Sequence, residues 1–135
     1  AILLKDKVEQ GEIVVIVGDR TSTTTGERST RVEFLGKPAS FSQGPFILAA
    51  LLDCPVYFLF CLKDKKTKKY HVIFEHYSQT LKIPRSQRQG LLTTVITDFS
   101  ARLGFYAARY PYQWFNFYDF WQNDQQVERS NAKEK

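Results

Sequence analysis

The residues best placed to do chemistry are Asp19 and Arg20, which follow directly on the run Ile13–Val17 in GEIVVIVGDR. An unbroken apolar run bounded by glycines predicts a strand buried on both faces, the habit of a parallel sheet. Crevices in α/β proteins open at the carboxyl ends of such strands, which is where this pair stands. The same two residues also suit a turn cap and a solvated loop charge, so the pair alone does not decide. The other candidates are weaker. His71 and His76 are the only histidines, and residues five apart on one strand point to opposite faces, which makes a poor metal site. Cys54 and Cys61 match no zinc spacing and read as buried, reduced thiols, which suggests the cytosol or the cytoplasmic side of a membrane. No serine sits in a strained elbow, no Gly-Lys-Ser/Thr phosphate loop is present, and Gly18 alone is no dinucleotide fingerprint.

Charge and aromatic content supply a second kind of chemistry, that of surfaces. The net charge of +5 is uneven, because residues 63–110 hold ten Lys/Arg against three Asp/Glu, or +7, leaving about −2 elsewhere. A basic half attracts nucleic acid, anionic lipid headgroups or an acidic protein, and charge alone does not choose among them. Lys65, Lys66, Lys68 and Lys69 also suit a plain solvated hairpin tip. Aromatic residues make up 15% of the chain, and seven of them crowd into positions 112–121. One reading folds this run over the sheet with Trp114, Phe117 and Trp121 filling grooves. The other sets Trp and Tyr rings at the headgroup boundary of a bilayer, with basic side chains meeting anionic lipid. Nucleic-acid stacking is a third use, but no recognition-module signature accompanies it.

The elements that must position these residues can be read in order. The 135 residues suit one domain with a real core, and no stretch approaches the ~20 apolar residues of a membrane span. Ile2–Gln10 predicts a helix stopped by Gly11, and the buried strand Ile13–Val17 follows. Arg31–Leu35 alternates Val32 and Phe34 inward against Arg31 and Glu33 outward, a short strand closed by Gly36-Lys37-Pro38. Pro45 suits a first helical position, with Phe46, Ile47, Ala50 and Leu51 as the apolar face and Pro55 beyond its end. Val56–Leu62 reads as an interior strand and Tyr70–Tyr77 as its antiparallel partner across a charged turn. Lys82–Gln89 leads into a long helix whose Leu91, Leu92, Val95, Ile96, Phe99, Leu103 and Tyr106 recur at three- and four-residue steps. The expected fold is α/β, a mixed, mainly parallel sheet with a C-terminal hairpin and flanking helices over residues 1–121. Residues 122–135 are expected to be a polar, frayed tail. With no Met and a start inside a helical pattern, the chain is expected to be a piece of something longer.

Several segments together carry a resemblance. They are Gly18-Asp19-Arg20, Val32-Glu33-Phe34-Leu35-Gly36 with Pro38-Ala39, Gly44-Pro45-Phe46-Ile47-Leu48-Ala49, Pro55-Val56, and Pro111-Tyr112-Gln113-Trp114-Phe115-Asn116-Phe117. In this order the chain resembles, over residues 5–121, the C-terminal half of the bacterial lysophospholipid-acyltransferase-like superfamily. The branch is that of the lipid A biosynthesis (lauroyl/myristoyl) acyltransferases, and within it the predicted acyltransferases found beside polyene-pigment and glycolipid genes.

The resemblance implies a partial acyltransferase domain. It would transfer a fatty acyl group from acyl carrier protein or acyl-CoA to a hydroxyl on a lipid or glycolipid, with no cofactor. It would do so at the cytoplasmic face of the bacterial inner membrane, as a peripheral protein. The family's base is a His with an acidic residue five positions later. That pair is absent, since His71 is followed five positions on by His76 and His76 by Leu81, so the chain is expected to be inactive alone. By match of position, Asp19 and Arg20 would form the acceptor or phosphate-binding side of the site. Phe34, Gly36, Gly44, Pro45 and Phe46 would line the acyl or acceptor cleft, and the helix N-terminus at Gly44–Phe46 is a ready anion site. Lys65, Lys66, Lys68, Lys69, Arg85, Arg88, Trp114 and Trp121 would face the membrane or the acidic carrier protein, with no nucleic-acid partner expected. The competing readings are a non-catalytic basic, aromatic module that binds anionic lipid or nucleic acid, and a structural fragment whose aromatic tail packs inward.

Overall fold

The computed structural model describes residues 2–20 and 28–121. Its secondary structure begins with α1 (Ile2–Glu9), closed as expected by Gly11 at φ +84°. This helix buries none of its residues, so it lies on the outside of the molecule. Two hairpins and two helices follow. They are β1 (Ser29–Phe34) and β2 (Lys37–Ser42), α2 (Gly44–Leu52), β3 (Val56–Lys63) and β4 (Tyr70–Ser78), then α3 (Arg88–Arg109). Short 3₁₀ turns at Arg85–Gln87 and Pro111–Gln113 bracket α3.

The expected parallel sheet is absent, and this corrects the fold class. Among the described residues the strands form two separate antiparallel pairs, β1 with β2 and β3 with β4. Ile13–Val17 forms no regular element and joins neither pair, and Ile13, Val15 and Val17 stand 82%, 69% and 62% exposed. The reason lies in what makes a strand. β-branched side chains suit extended backbone, but a sheet also needs the N–H and C=O groups of a neighbour. Only one edge of β3 is paired, by β4, and a cleft separates the run from that strand. The segment 21–27 of the polar loop and the tail 122–135 lie outside the described residues.

The first hairpin is half predicted. β1 alternates as read, with Thr30, Val32 and Phe34 buried and Arg31 and Glu33 exposed. The chain does not leave at Gly36-Lys37-Pro38, however; it turns on Leu35 (φ +51°) and Gly36 (φ +80°) and returns at once as β2. Two positive φ values are the primed turn that matches strand twist. Pro38 opposite Glu33 is tolerated because each strand of this pair has a free edge.

Phe34, 1% exposed, is the hub of the core. Its ring meets Phe41 at 5.8 Å, Trp114 at 5.0 Å, Phe120 at 5.3 Å and Trp121 at 5.8 Å. Trp121 also donates its indole N–H to the Phe34 carbonyl at 3.2 Å, so the C-terminal aromatic run folds inward at both of its tryptophans. Phe117 does not join them; it is 91% exposed. Helix α3 packs on the same buried face of β1, with Gly104 against the Phe34 ring, and buries Leu92, Val95, Ile96 and Leu103 as its periodicity predicts. Ser100 on that face donates to the Glu33 carbonyl at 2.6 Å.

The second hairpin pairs Leu59 with Phe74 and Tyr57 with His76. β3 is not an interior strand: Phe58 and Phe60 are buried, but Tyr57, Leu59 and Cys61 face outward. The expectation of two buried thiols is corrected with it, since Cys61 is exposed and Cys54 half-buried. In α2, Phe46 and Leu52 are buried while Leu51 is exposed, which narrows the predicted face.

Polar bonds fasten β4 to α3. Glu75 faces inward and receives the Arg102 guanidinium through Nε at 2.6 Å and Nη2 at 2.5 Å, and the Tyr106 hydroxyl at 2.6 Å. The Arg102 bonds hold its carboxyl below the usual range, against partial desolvation. Two residues on, Tyr77 donates to Asp98 at 2.9 Å. Burial and that bond push the Tyr77 hydroxyl up to about 12.

Candidate functional site: an apolar cleft

The unpaired run forms one wall of an open concavity. Between Ile13–Val17, α2, β3 and α3 lies an open cleft of about 840 Å³. One wall is the run itself. The others carry Phe46 and Ala49 from α2, Phe58 and Phe60 from β3, and Phe99 and Leu103 from α3. Gly18 brings the run close to its floor, where a Cβ would stand 3.1 Å from the Phe99 ring. No larger residue fits there without moving Phe99, which gives the glycine a packing role.

Polar residues reach the cleft at both ends of the run, Glu12 at one and Asp19 at the other. Gln113 and Trp114 line the cleft with Asp19, and the Trp114 indole N–H donates to Asp19 Oδ2 at 3.0 Å. Arg20 stands 3.6 Å from the same oxygen and donates to the Phe115 carbonyl at 2.8 Å. The Tyr118 hydroxyl reaches the Asp19 carbonyl at 3.4 Å. The Asp-Arg pair is therefore anchored by the C-terminal aromatic segment, 95 residues away in sequence. Asp19 Oδ2 already accepts the indole N–H, and Oδ1 of the same carboxylate can accept from a ligand hydroxyl. Such an arrangement can seat a hydrocarbon chain with a polar head at the Asp19 end.

The structure gathers some of the sequence-predicted residues and separates others. Asp19, Pro45 and Phe46 line the cleft. Phe34 lies behind it in the core and touches it through Trp114. Gly36 sits at the β1–β2 turn facing open space. Gly44 begins α2, and its N–H already bonds Ser42 Oγ at 3.2 Å, so one donor of that helix end is taken. Lys65, Lys66, Lys68 and Lys69 stand exposed on the β3–β4 loop. Arg85 lies in the 3₁₀ turn before α3 and Arg88 opens the helix, away from that loop in the chain. Trp114 and Trp121 are partly buried against Phe34 and are not the exposed rings of the run.

Sequence reasoning missed Gln113. Its side chain pairs with both backbone groups of Lys63, accepting at 2.7 Å and donating at 2.8 Å, and it borders the cleft as well. A lone Gln among aromatics was the only signal available. Neither His71 nor His76 lines the cleft; His76 packs edge-on against Tyr57 at 5.1 Å. Among the described residues no group of three His, Cys, Asp or Glu side chains could hold a metal ion, and no helix is long and apolar enough to cross a membrane. Compared with known proteins, the chain matches no family model, no curated protein and no solved structure.

Proposed function

We propose that this chain is the acyl-accommodating part of a membrane-peripheral acyltransferase. In this reading the cleft holds the hydrocarbon of a fatty acyl group delivered by acyl carrier protein or acyl-CoA, and the acceptor is a lipid or glycolipid hydroxyl. The observation that carries it is the cleft itself. Its 840 Å³ falls within the range of small-molecule sites, its walls are largely aliphatic and aromatic, and a hydrogen-bonded cluster around Asp19 stands at one end, with Glu12 at the other end of the run. Such a lining suits an amphipathic ligand whose tail is buried and whose head stays near water at Asp19. Each buried methylene contributes about 0.8 kcal/mol, so a cleft of fixed depth also selects chain length.

The sequence resemblance supports the same reading. Two of its segments, Gly18-Asp19 and Pro45-Phe46, come together on this cleft although they are far apart in the chain. Asp19 is a positioning group for the polar head. Proton transfer from the acceptor hydroxyl is assigned to a His–acid pair outside this chain, because neither histidine here reaches the site.

The test uses Trp114 as the reporter. Titration with dodecanoate below its aggregation threshold is expected to give a saturable change in tryptophan emission, and Trp114→Phe, which keeps Trp121, is expected to lose it. Emission that stays flat in the wild type contradicts the reading. Where the chain acts together with such a His–acid pair, Asp19→Ala is expected to reduce acyl transfer at least tenfold, and full activity there removes Asp19 from the site.

A further inference from the structure

The described surface holds a patch where cations and bare rings stand side by side, and it is built around the β3–β4 loop. Asp64 opens that loop and turns its charge onto the loop's own backbone. Its Oδ1 accepts the N–H groups of Lys66 at 2.8 Å and Thr67 at 2.6 Å and the Thr67 hydroxyl at 3.0 Å. These bonds, led by the Thr67 N–H, hold its carboxyl below the usual range. Backbone bonds from Lys68 N–H to the Asp64 carbonyl (3.0 Å) and from Asp64 N–H to the Lys69 carbonyl (2.8 Å) close the turn. The loop is thus an ordered platform. Its one acid faces the backbone, and Lys63, Lys65, Lys66, Lys68 and Lys69 remain exposed.

Gln113 fastens the aromatic segment to this platform through its two bonds to the Lys63 backbone. Tyr112 is thereby set against Lys65, 5.8 Å from ammonium to ring centre, and Lys63 lies 5.3 Å from the Tyr70 ring. The chain then carries Phe115 and Phe117, with ring centres 6.4 Å apart. Tyr112 and Phe117 are 83% and 91% exposed. Rings held in water within a few residues of a lysine-lined loop, with Tyr112 directly against Lys65, have no role in this molecule's own core. They match a surface that is anionic outside and apolar just beneath.

We infer that this patch docks on an anionic lipid bilayer. The loop lysines meet headgroup phosphates, and Tyr112, Phe115 and Phe117 enter the headgroup–acyl boundary. Two observations favour lipid over single-stranded nucleic acid. Phe115 and Phe117 are tilted by 36° to each other and form no stacking ladder. The patch is also continuous with the cleft, since Gln113 belongs to both, which places the cleft's Asp19 end beside the membrane from which an acyl ligand would enter. The inference rests on the membrane-peripheral part of the proposed function and is independent of what the cleft holds.

The experiment is sedimentation of the full chain with vesicles of phosphatidylcholine alone and with phosphatidylglycerol added. Binding is expected only to the anionic vesicles and is expected to weaken steeply with salt. A lysine brought to an anionic surface changes partition about fivefold, so Lys65→Glu/Lys66→Glu/Lys69→Glu together are expected to lose at least a hundredfold. Phe117→Ser is expected to lose about tenfold. Circular dichroism and the Trp114 titration should be unchanged in both variants, which separates lost docking from lost folding or a lost cleft. No binding to anionic vesicles, or a triple variant that binds like the wild type, overturns the inference. So does tighter capture of a single-stranded oligonucleotide by the same residues. Vesicle binding that persists where the Trp114 titration fails supports the surface and removes only the acyl reading.

Discussion

The Phe34 corner and the Ile13–Val17 run both carry large apolar side chains and reach opposite ends. β1 alternates them with polar residues, whereas the run carries them without a break. Phe34 sits in a strand whose backbone is paired by β2 and whose buried face is covered by α3, and its ring is enclosed by Phe41, Trp114, Phe120 and Trp121. Ile13–Val17 has no paired strand among the described residues, and three of its five side chains are more than 60% exposed. Apolar composition therefore does not fix burial. Backbone pairing does much of that, and where pairing stops, this molecule keeps a cleft instead of a core.

The widest gap between the two regions should appear in stability. Phe34→Ala is expected to destabilise the fold by about 3–5 kcal/mol, through lost transfer energy and an uncollapsed cavity. Val15→Ala is expected to cost no more than about 0.5 kcal/mol, because that side chain is already in water. Chemical denaturation of the two variants checks both. Similar losses in the two would mean that the run is buried in solution and that the cleft is closed.

A smaller effect is expected at the seam that holds β4 to α3 on the cleft's far wall. Glu75→Gln should cost about 1 kcal/mol at neutral pH, discounted because Arg102 is 38% exposed. The folded state holds the Glu75 carboxyl below its ordinary value of 4.5. Its stabilisation is therefore complete above that value and is lost as pH falls through the lower, folded one. Glu75→Gln should flatten this acid limb in a pH series of melting temperatures. At the alkaline end the sign reverses. Tyr77 is raised in the folded state, so its contribution is present below about 10 and fades as pH rises towards 12.

The smallest expected effect lies at the turn of the well-packed region. Leu35 adopts φ +51°, which an L-residue without a local polar side chain resists. Leu35→Asn is expected to raise stability by about 0.5–1 kcal/mol in the same denaturation assay. A loss instead would show that Leu35 contacts near Gly104 outweigh the backbone strain.

The legible parts of this fold were those that local pattern determines. Alternation placed Val32 and Phe34 inward, three- and four-residue spacing found the buried face of α3, and Pro45 marked the start of α2. The β3–β4 hairpin followed from two strand-like runs around a lysine-rich turn. What pattern could not reach was pairing. The return strand β2 drew no strand expectation because Pro38 and Ser40 lack strand propensity, yet β1 supplies its partner. Ile13–Val17 looked like the centre of a parallel sheet because its side chains suit one, yet no strand in the described residues adjoins it. At the site, Asp19 and Pro45-Phe46 were recognisable by type. Their meeting on one cleft was not, because it depends on Trp114 reaching back 95 residues to Asp19.

The most direct test of the acyl reading is a chain-length series of saturated fatty acids, titrated against the Trp114 emission below their aggregation thresholds. The account predicts that affinity rises about fourfold per added methylene and then levels off once the cleft is filled. Affinity that ignores chain length, or climbs without levelling, would contradict a bounded acyl site between Ile13–Val17 and β3.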